Sequence, residues 1–439
     1  MFGRVAELTR SERNKSQYET AARRSETKRK REVRTLNSTS ITTARKAGAG
    51  QAIVLLLPAI LVTMGAAALV PVIPQIHREF AHLPNVNLLT QLVLVIPSLF
   101  LVIFCPVMGW LGDRFGRRRL LLAGLALYAV VGVAPMGLQS ISAILICRAL
   151  VGVAEAAVLT LSTTMISDMF DGPERDRWLG FQAAIASASS VVIIAASGAL
   201  AQFGWRAVFA IYLAALVMLV LVLATTWEPD RAARRAAGDV VVGQNKAIWK
   251  RLAAICAITL LASVTFFAVQ LQAATAFERL GLVTPALMGM LIGFIAIGTP
   301  IGAVIFRFVN TRPTLVLLGV GFGAASIGLF GMGFAPTVVI LTAALFIGQI
   351  GCGILLPTLL TAAVRGLGPE IRGRGIGIWQ GTFSIGQFTS GVSFAMLVGH
   401  FGASPPAFAV LAWGAITAAG LAVAGYVFLN TRRAGPASR

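Results

Sequence analysis

Residues 109–119 read GWLGDRFGRRR and lie between two strongly apolar runs. Within eleven residues this segment contains one aspartate, four arginines and three glycines. The gap between the two runs is too short for a domain. The segment therefore predicts a tight, charged turn between two helices, and we call it the signature loop.

The composition of the whole chain indicates a membrane protein. Of the 439 residues, 57% are hydrophobic and only 12% are charged, which leaves too few charges for a soluble globular protein of this size. A helix needs about 20 apolar residues to cross a bilayer, so the chain is long enough for about a dozen crossings. We therefore expect one large helical bundle.

The polar positions of the signature loop follow a specific pattern. The positions that carry it are Gly109, Asp113, Arg114, Gly116, Arg117 and Arg118. This pattern resembles the loop between the second and third transmembrane helices of the major facilitator superfamily. An ordinary basic cytoplasmic loop would explain the arginines but not the aspartate and the glycines. The resemblance implies a secondary transporter, not an enzyme, with two six-helix halves and a substrate site between them near the membrane midplane.

The apolar runs predict twelve membrane-spanning helices, because an exposed strand edge cannot persist in lipid. The predicted spans are residues 51–76, 88–108, 119–139, 142–167, 178–203, 205–226, 251–275, 284–306, 314–333, 336–364, 373–399 and 405–429. A polar linker at 227–250 divides them into halves at 51–226 and 251–429, with tails at 1–50 and 430–439. The predicted fold class is an all-α membrane protein of twelve transmembrane helices in two six-helix halves.

Basic residues are distributed unevenly between the two sides of the predicted spans. Of the 37 Lys and Arg residues, only Arg78, Arg206 and Arg279 fall opposite the signature loop, and Arg148 falls within a span. Cytoplasmic loops carry an excess of Lys and Arg, so we expect both termini in the cytoplasm and the protein in a bacterial-type inner membrane. The net charge of +20 thus indicates orientation, and no nucleic-acid partner is expected.

The tail at 1–50 contains 13 basic and 5 acidic residues and has no sustained apolar face. One interpretation is a segment held against anionic lipid, where each basic residue near the surface contributes about 1 kcal/mol. The alternatives are a disordered tail and a mis-chosen start codon.

Two charged residues, Arg148 and Glu155, lie inside the fourth predicted span. A charge at the bilayer centre costs about 2.5 to 3.5 kcal/mol, so both are candidates for a functional role. Seven residues apart, they share one helix face and lie about 10 Å apart along the axis. The run 145–157 (LICRALVGVAEAA) resembles the superfamily's fourth-helix motif, in which a buried arginine followed by a glycine, here Arg148 and Gly152, is associated with proton transfer.

The hypothesis from these residues is that Glu155 exchanges a proton near neutral pH and that Arg148 tunes it. Loss of hydration favours the neutral acid more strongly than an arginine about 10 Å away favours the carboxylate. The alternative is structural: Arg148 would hold a neighbouring helix by bonding its carbonyls, and Glu155 would be a satisfied buried carboxyl.

The resemblance also implies a conformational latch around the signature loop. In the superfamily, the loop aspartate caps the start of the eleventh helix, and a loop arginine pairs with an acid at the end of the fourth. Here Asp113 would face the helix that begins near residues 372–377, and Arg117 would pair with Asp168. A carboxylate at a helix N-terminus meets unpaired amides and the positive end of the dipole. Such a latch must be weak, because alternating access needs both states populated.

Neutral polar residues in the second half are candidates for lining a substrate cavity. They are Gln270, Gln272, Gln349, Trp379, Gln380, Ser384 and Gln387. Each could contact a mostly apolar ligand or could instead bond a neighbouring helix.

Cofactor and metal motifs are absent from the sequence. No G-x-x-x-x-G-K-[ST] loop exists, so ATP is not expected to drive the protein. The four cysteines and three histidines lack the spacing of disulfide or metal sites. The expected partners are a small-molecule substrate, protons and the lipid bilayer, and the chain is expected to be a monomer.

The leading functional hypothesis is proton-coupled export of small amphiphilic or drug-like molecules. Drug/proton antiporters of the superfamily carry G-P-x-x-G-G in the fifth helix, whereas residues 193–198 read IIAASG and retain only Gly198. This departure favours an alternative, the uptake of a small organic anion or metabolite with Arg148 as a substrate clamp. A non-transporting membrane receptor or scaffold is a further alternative, but it would leave Arg148 and Glu155 unexplained.

Overall fold

A computed structural model describes residues 47–170, 172–228, 246–282, 284–365 and 369–431. The described residues from 49 onward belong to one compact unit. The predictions for nearly all of the basic tail, for most of the linker and for the C-terminal tail lie outside the described residues.

Each predicted apolar run forms a long helix, because only a helix satisfies its backbone polar groups internally in lipid. The bounds are α1 Ala49–Glu79, α2 Val86–Phe115, α3 Arg117–Met136, α4 Ile141–Met169, α5 Gly172–Leu200, α6 Trp205–Thr225, α7 Lys246–Leu271, α8 Pro285–Val309, α9 Thr314–Phe334, α10 Val338–Val364, α11 Pro369–Phe401 and α12 Pro405–Thr431. A short helix, Ala273–Arg279, follows α7.

Within the described ranges, eleven helices are long and apolar enough to cross a membrane. The exception is α11, which has 33 residues but carries amide and hydroxyl side chains along much of its length. These polar groups lower its mean hydropathy. Eleven of the twelve predicted spans are thus supported, and the division into two six-helix halves remains a prediction.

The first helix, α1, is interrupted near its middle. A 3₁₀ turn at Val70–Val72 joins its two parts, and Pro71 in that turn has no N–H to donate. Leu69 N–H donates to Ala66 O, three residues back, at 3.2 Å. In a regular α-helix the same N–H would serve Gly65 O. The interruption therefore leaves the carbonyl of Gly65 open to side-chain donors.

Glycines allow pairs of helices to pack closely. An added Cβ at Gly152 of α4 would lie 2.8 Å from Pro97 Cα of α2. An added Cβ at Gly198 of α5 would lie 2.5 Å from Gly289 Cα of α8. Any larger residue would force these helices apart, and the second contact connects helices on opposite sides of the predicted linker.

The helical bundle has two ends. The loop end carries the signature loop, and the far end is the opposite end, where α1 finishes at Glu79 and α2 begins at Val86.

Candidate functional site

Arg148 lies about two turns into α4, and 0% of its surface is exposed. Its guanidinium group uses all three nitrogens inside the protein. Nε donates to Val93 O of α2 at 2.9 Å, and Nη1 donates to the hydroxyl of Tyr212 in α6 at 2.6 Å. Nη2 donates to Gly65 O of α1. Arg148 therefore connects α4 to three neighbouring helices.

The interrupted part of α1 supplies carbonyl acceptors to several helices. Gly65 O also accepts a hydrogen bond from the Tyr212 hydroxyl at 3.2 Å. Ser197 Oγ of α5 donates to Ala68 O in the same interruption. Sequence analysis missed these partners, and the available signal was Pro71, because a proline in a span releases backbone acceptors that other helices must satisfy.

Glu155 lies about two helical turns after Arg148, on the same face of α4, and is 3% exposed. Its carboxyl group rests on Gly65: an added Cβ there would lie 2.9 Å from Glu155 Cδ and would overlap Oε1. Among the residues that the structure describes, Glu155 Oε1 has no hydrogen-bond partner. The carboxyl group is therefore buried and incompletely satisfied.

The predicted shared face of Arg148 and Glu155 exists, and α1 completes it. Arg148 bonds the carbonyl of Gly65, whereas Glu155 packs over the Cα of the same residue. In the described part of the chain, no ion pair joins Arg148 to Glu155. The arrangement can hold Arg148 ionised, with a partner for each guanidinium nitrogen. The neighbouring Glu155 carboxyl group then either binds a proton or bears an incompletely paired charge.

The signature loop contains the predicted pair between Arg117 and Asp168. Arg117 Nη1 lies 2.5 Å from Asp168 Oδ2 at the end of α4, and Nη2 lies 2.9 Å from Asp113 Oδ1. The Arg117 and Asp168 side chains are 14% and 13% exposed, so this pair is shielded, whereas Asp113 is 65% exposed. The cluster joins α2, α3 and α4 at the loop end.

A third acid at the loop, Glu228, was not identified from the sequence. Its carboxylate accepts hydrogen bonds from the backbone N–H groups of Arg117 at 2.7 Å and Arg118 at 3.0 Å. Gly116, with φ of 104°, turns the chain so that both N–H groups point to Glu228. The carboxylate thus caps the N-terminus of α3. The available signal was that Glu228 is the first acid after α6.

Other loop residues have separate environments. Arg114 lies over the rings of Trp110 and Phe115, each 5.6 Å from its guanidinium carbon. Gly109 faces Thr160 of α4, and an added Cβ would lie 3.7 Å from Thr160 Cγ2. Arg118 Nη2 donates to Leu223 O at 2.8 Å. These contacts stay close to the loop.

The predicted contact from Asp113 to the start of α11 remains a prediction. The Asp113 carboxylate is bonded to Arg117, and most of its surface is exposed. The side chains of 369–374 lie outside the described residues. The helix axes do pack together, since Gly381 of α11 faces Val102 of α2 at 3.9 Å from an added Cβ.

Two predicted cavity residues bond neighbouring helices in this structure. Gln272 is 0% exposed and exchanges two 3.3 Å hydrogen bonds with Gln91 of α2, amide to amide. Gln349 of α10 accepts from Thr299 Oγ1 of α8 at 2.8 Å. Both amides therefore match the alternative in which the side chain forms a hydrogen bond with a neighbouring helix, because buried polar groups are almost always hydrogen-bonded.

Three predicted cavity residues on α11 share one face at i, i+4 and i+7: Gln380, Ser384 and Gln387. Gln380 is exposed, Gln387 is half-buried and Ser384 is buried. Trp379 points to a different face, where it is buried and its ring stacks on Phe383 at 5.9 Å. Of the three residues on the shared face only Gln380 is open, and the other two are partly or fully covered.

The remaining predicted cavity residue, Gln270 of α7, is half-buried. One helical turn before it, Phe266 and Phe267 contact Phe383 of α11, with ring centroids 5.5 Å and 4.9 Å apart. These rings connect α7 to α11 beside the face that carries Gln380 and Gln387.

The far end is closed by contacts between helices from both sides of the predicted linker. Arg78 Nε at the end of α1 donates to Glu278 Oε1 at 2.9 Å. The Gln91 and Gln272 amide pair lies deeper in the bundle. Glu79 also binds Arg206 Nη2 at 2.7 Å, within the first group of helices.

Curated relatives match parts of the chain. The multidrug efflux pump LfrA of Mycolicibacterium smegmatis is 35% identical over 180 residues, which cover 40% of this chain and 35% of that protein. Protein spinster homolog 1 of Mus musculus is 32% identical over 31% of this chain and 27% of its own length. The class C tetracycline resistance protein of Escherichia coli is 31% identical over 36% and 39%. The chain thus spans less than two fifths of the length of these relatives.

Solved structures share the fold over most of the chain. The D-xylose-proton symporter has a TM-score of 0.69 at 17% identity and covers 85% of this chain and 96% of its own. An inward-facing, unoccupied bacterial homolog of the human lysosomal transporter Spinster has a TM-score of 0.64 at 18% identity, covering 86% and 94%. The family profile matches residues 55–391, and the chain therefore belongs to the Major Facilitator Superfamily of multi-pass membrane transporters, which are not enzymes.

Proposed function

We propose that this chain is a secondary active transporter that exports small amphiphilic or drug-like molecules in exchange for protons. The observation that carries the proposal is the Glu155 carboxyl, which is buried in α4 with an unpartnered oxygen. A buried carboxylate that lacks full pairing is costly, and binding a proton removes that cost. Glu155 is therefore the proton-coupling residue of this proposal.

Arg148 has a positioning role in this proposal. Its three bonded nitrogens hold α1, α2 and α6 around α4, so Gly65 stays against the Glu155 carboxyl. The uptake alternative needs Arg148 as a clamp for an organic anion. With 0% of its surface exposed and each guanidinium nitrogen already donating to a group within the protein, Arg148 is not accessible to such a substrate in this structure.

Two relatives support the export direction by their names, a multidrug efflux pump and a tetracycline resistance protein. Exposed Gln380 and half-buried Gln387 of α11, together with the neighbouring phenylalanines, would suit a mostly apolar substrate with a few hydrogen-bonding groups. On the basis of the charge asymmetry, we place the protein in an inner membrane with both termini in the cytoplasm. We also propose that it acts as a monomer.

The test is flux of a compound panel in proteoliposomes under an imposed pH gradient of either sign. We expect cationic dyes to accumulate against an opposite proton flow, and E155Q to lose the dependence on the gradient because an amide cannot bind the proton. The matched control is E174Q, the same change at an exposed residue of α5. Unchanged coupling in E155Q would refute the proton role, and co-directional anion uptake would select the alternative.

A further inference from the structure

Two turns at the loop end, the signature loop between α2 and α3 and the turn between α8 and α9, both carry arginines. The arginines of the two turns differ in their partners. In the signature loop, Arg117 pairs with Asp113 and Asp168. Glu228 caps the first N–H groups of α3. In the signature loop, carboxylates of the protein itself therefore neutralise the arginine and cap the helix.

The turn between α8 and α9 contains two arginines and no acid. Arg307 lies in the last turn of α8, and Arg312 lies just before α9. Both are exposed, and neither side chain has a hydrogen-bond or ion-pair partner within the described residues. Phe306 occupies the place that the aspartate occupies in the signature loop. This turn therefore presents two positive charges that no described residue compensates.

Large apolar side chains surround the same turn. Phe308 is 77% exposed and Val304 is 58% exposed on α8, beside Arg307. Apolar exposure next to a basic residue is typical of the membrane interface, where the ring enters the acyl region and the guanidinium group reaches the headgroups. Because α8 is a membrane-spanning helix, Phe308 and Val304 face lipid chains, and a phospholipid can contact both these side chains and the arginines whereas a soluble anion can contact only the arginines.

The start of α9 has no side-chain cap, since the residue before it is Pro313. The start of α3 receives the Glu228 carboxylate instead. The free backbone N–H groups at the start of α9 add hydrogen-bond donors beside Arg307 and Arg312, but they do not by themselves define an anion site.

We propose that Arg307 and Arg312 bind the headgroup phosphate of an anionic phospholipid in the leaflet at the loop end, with its acyl chains against Phe308 and Val304. Arginine suits this ligand because its planar donors match phosphate oxygens. The site is separate from Glu155 and requires no transport step, so its test is independent of the proposed function.

The test uses the full chain in a mild non-ionic detergent, titrated with phosphatidylglycerol and, separately, with zwitterionic phosphatidylcholine. Bound lipids are counted by native mass spectrometry. Since each basic residue near anionic lipid contributes about a fivefold factor, R307Q/R312Q should bind the tightest phosphatidylglycerol about 30-fold more weakly. R307K/R312K should retain most of the binding.

The matched control is R119Q, which removes one exposed arginine at the loop end outside this turn. It should leave the tightest phosphatidylglycerol in place. Equal affinity in R307Q/R312Q and R119Q would overturn the proposal. Displacement of the lipid by millimolar inorganic phosphate would overturn the choice of a lipid ligand. If the double variant does not fold, the single variant R312Q, outside the helices, must show a loss of about fivefold.

Discussion

The far end and the loop end of the bundle are held together by different kinds of contact. At the far end, the contacts run between helices before and after the predicted linker: Gln91 with Gln272, Arg78 with Glu278, and Gly198 with Gly289. At the loop end, the described charged cluster of Arg117, Asp113, Asp168 and Glu228 includes no residue beyond the start of that linker, where Glu228 is the second residue.

This difference separates two mechanical roles. Contacts that run across the linker must break when the far end opens, and a neutral amide pair with a glycine contact can break without stranding a buried charge. Contacts that remain within one group of helices can persist through such a movement. We therefore expect changes at the far end to shift the balance between open and closed states, and changes in the loop cluster to change stability first.

The largest effect is expected from Gly198→Val. The new side chain would overlap the backbone of Gly289, so the far end could not close. We expect transport to fall at least tenfold. In a background without the native cysteines, V95C should become reactive to a membrane-impermeant thiol reagent added at the far side, because Val95 is 0% exposed in the closed end.

The control for this prediction is Gly319→Val in α9, where an added Cβ meets nothing within 4 Å. It should behave like the parent protein. If Gly198→Val leaves both transport and V95C labelling unchanged, the glycine contact does not close the far end.

A smaller effect is expected from the amide pair. Gln91→Leu leaves the Gln272 amide buried without a partner when the far end is closed, at about 1–3 kcal/mol. V95C labelling should therefore rise about tenfold. The double variant Q91L/Q272L removes both amides, so labelling should return toward the parent value. Additive increases in the two single variants and the double variant would contradict a direct pair.

The smallest effect is expected at the loop end. Glu228→Gln keeps an acceptor near the first N–H groups of α3 but removes the charge, which should reduce stability by about 1 kcal/mol. Thermal denaturation in detergent measures this change, with E174Q as the exposed control. V95C labelling should stay at the parent level, and an increase comparable with that of Gln91→Leu would show that the loop cluster also controls the far end.

Local patterns in the sequence predicted much of this architecture. The apolar runs located the helices, since a span must be about 20 residues long and mostly apolar. Arg148, Glu155 and the Arg117–Asp168 contact were also predicted, because buried charges are rare and the loop pattern is specific. The polar α11 was predicted as a span, although it is not among the eleven helices that are apolar enough within the described residues.

The residues that complete the site depend on contacts between distant segments. Gly65 carries no charge and belongs to no motif, yet both Arg148 and Glu155 converge on it. Gln272 was assigned to a cavity, but its partner is 181 residues away, in α2. No periodicity within either segment could identify such a pair.

The sequence by itself determined the membrane class, the positions of the helices, the expected orientation and the two charged candidates in α4. These properties follow from hydrophobic length and from the cost of burying charge, which act on each segment separately. Only the tertiary structure decided that each guanidinium nitrogen of Arg148 has a partner. It also decided that, among the described residues, Glu155 Oε1 and the side chains of Arg307 and Arg312 have none. Hydrogen-bond satisfaction is a property of neighbours in space, and the packing of the helices sets those neighbours.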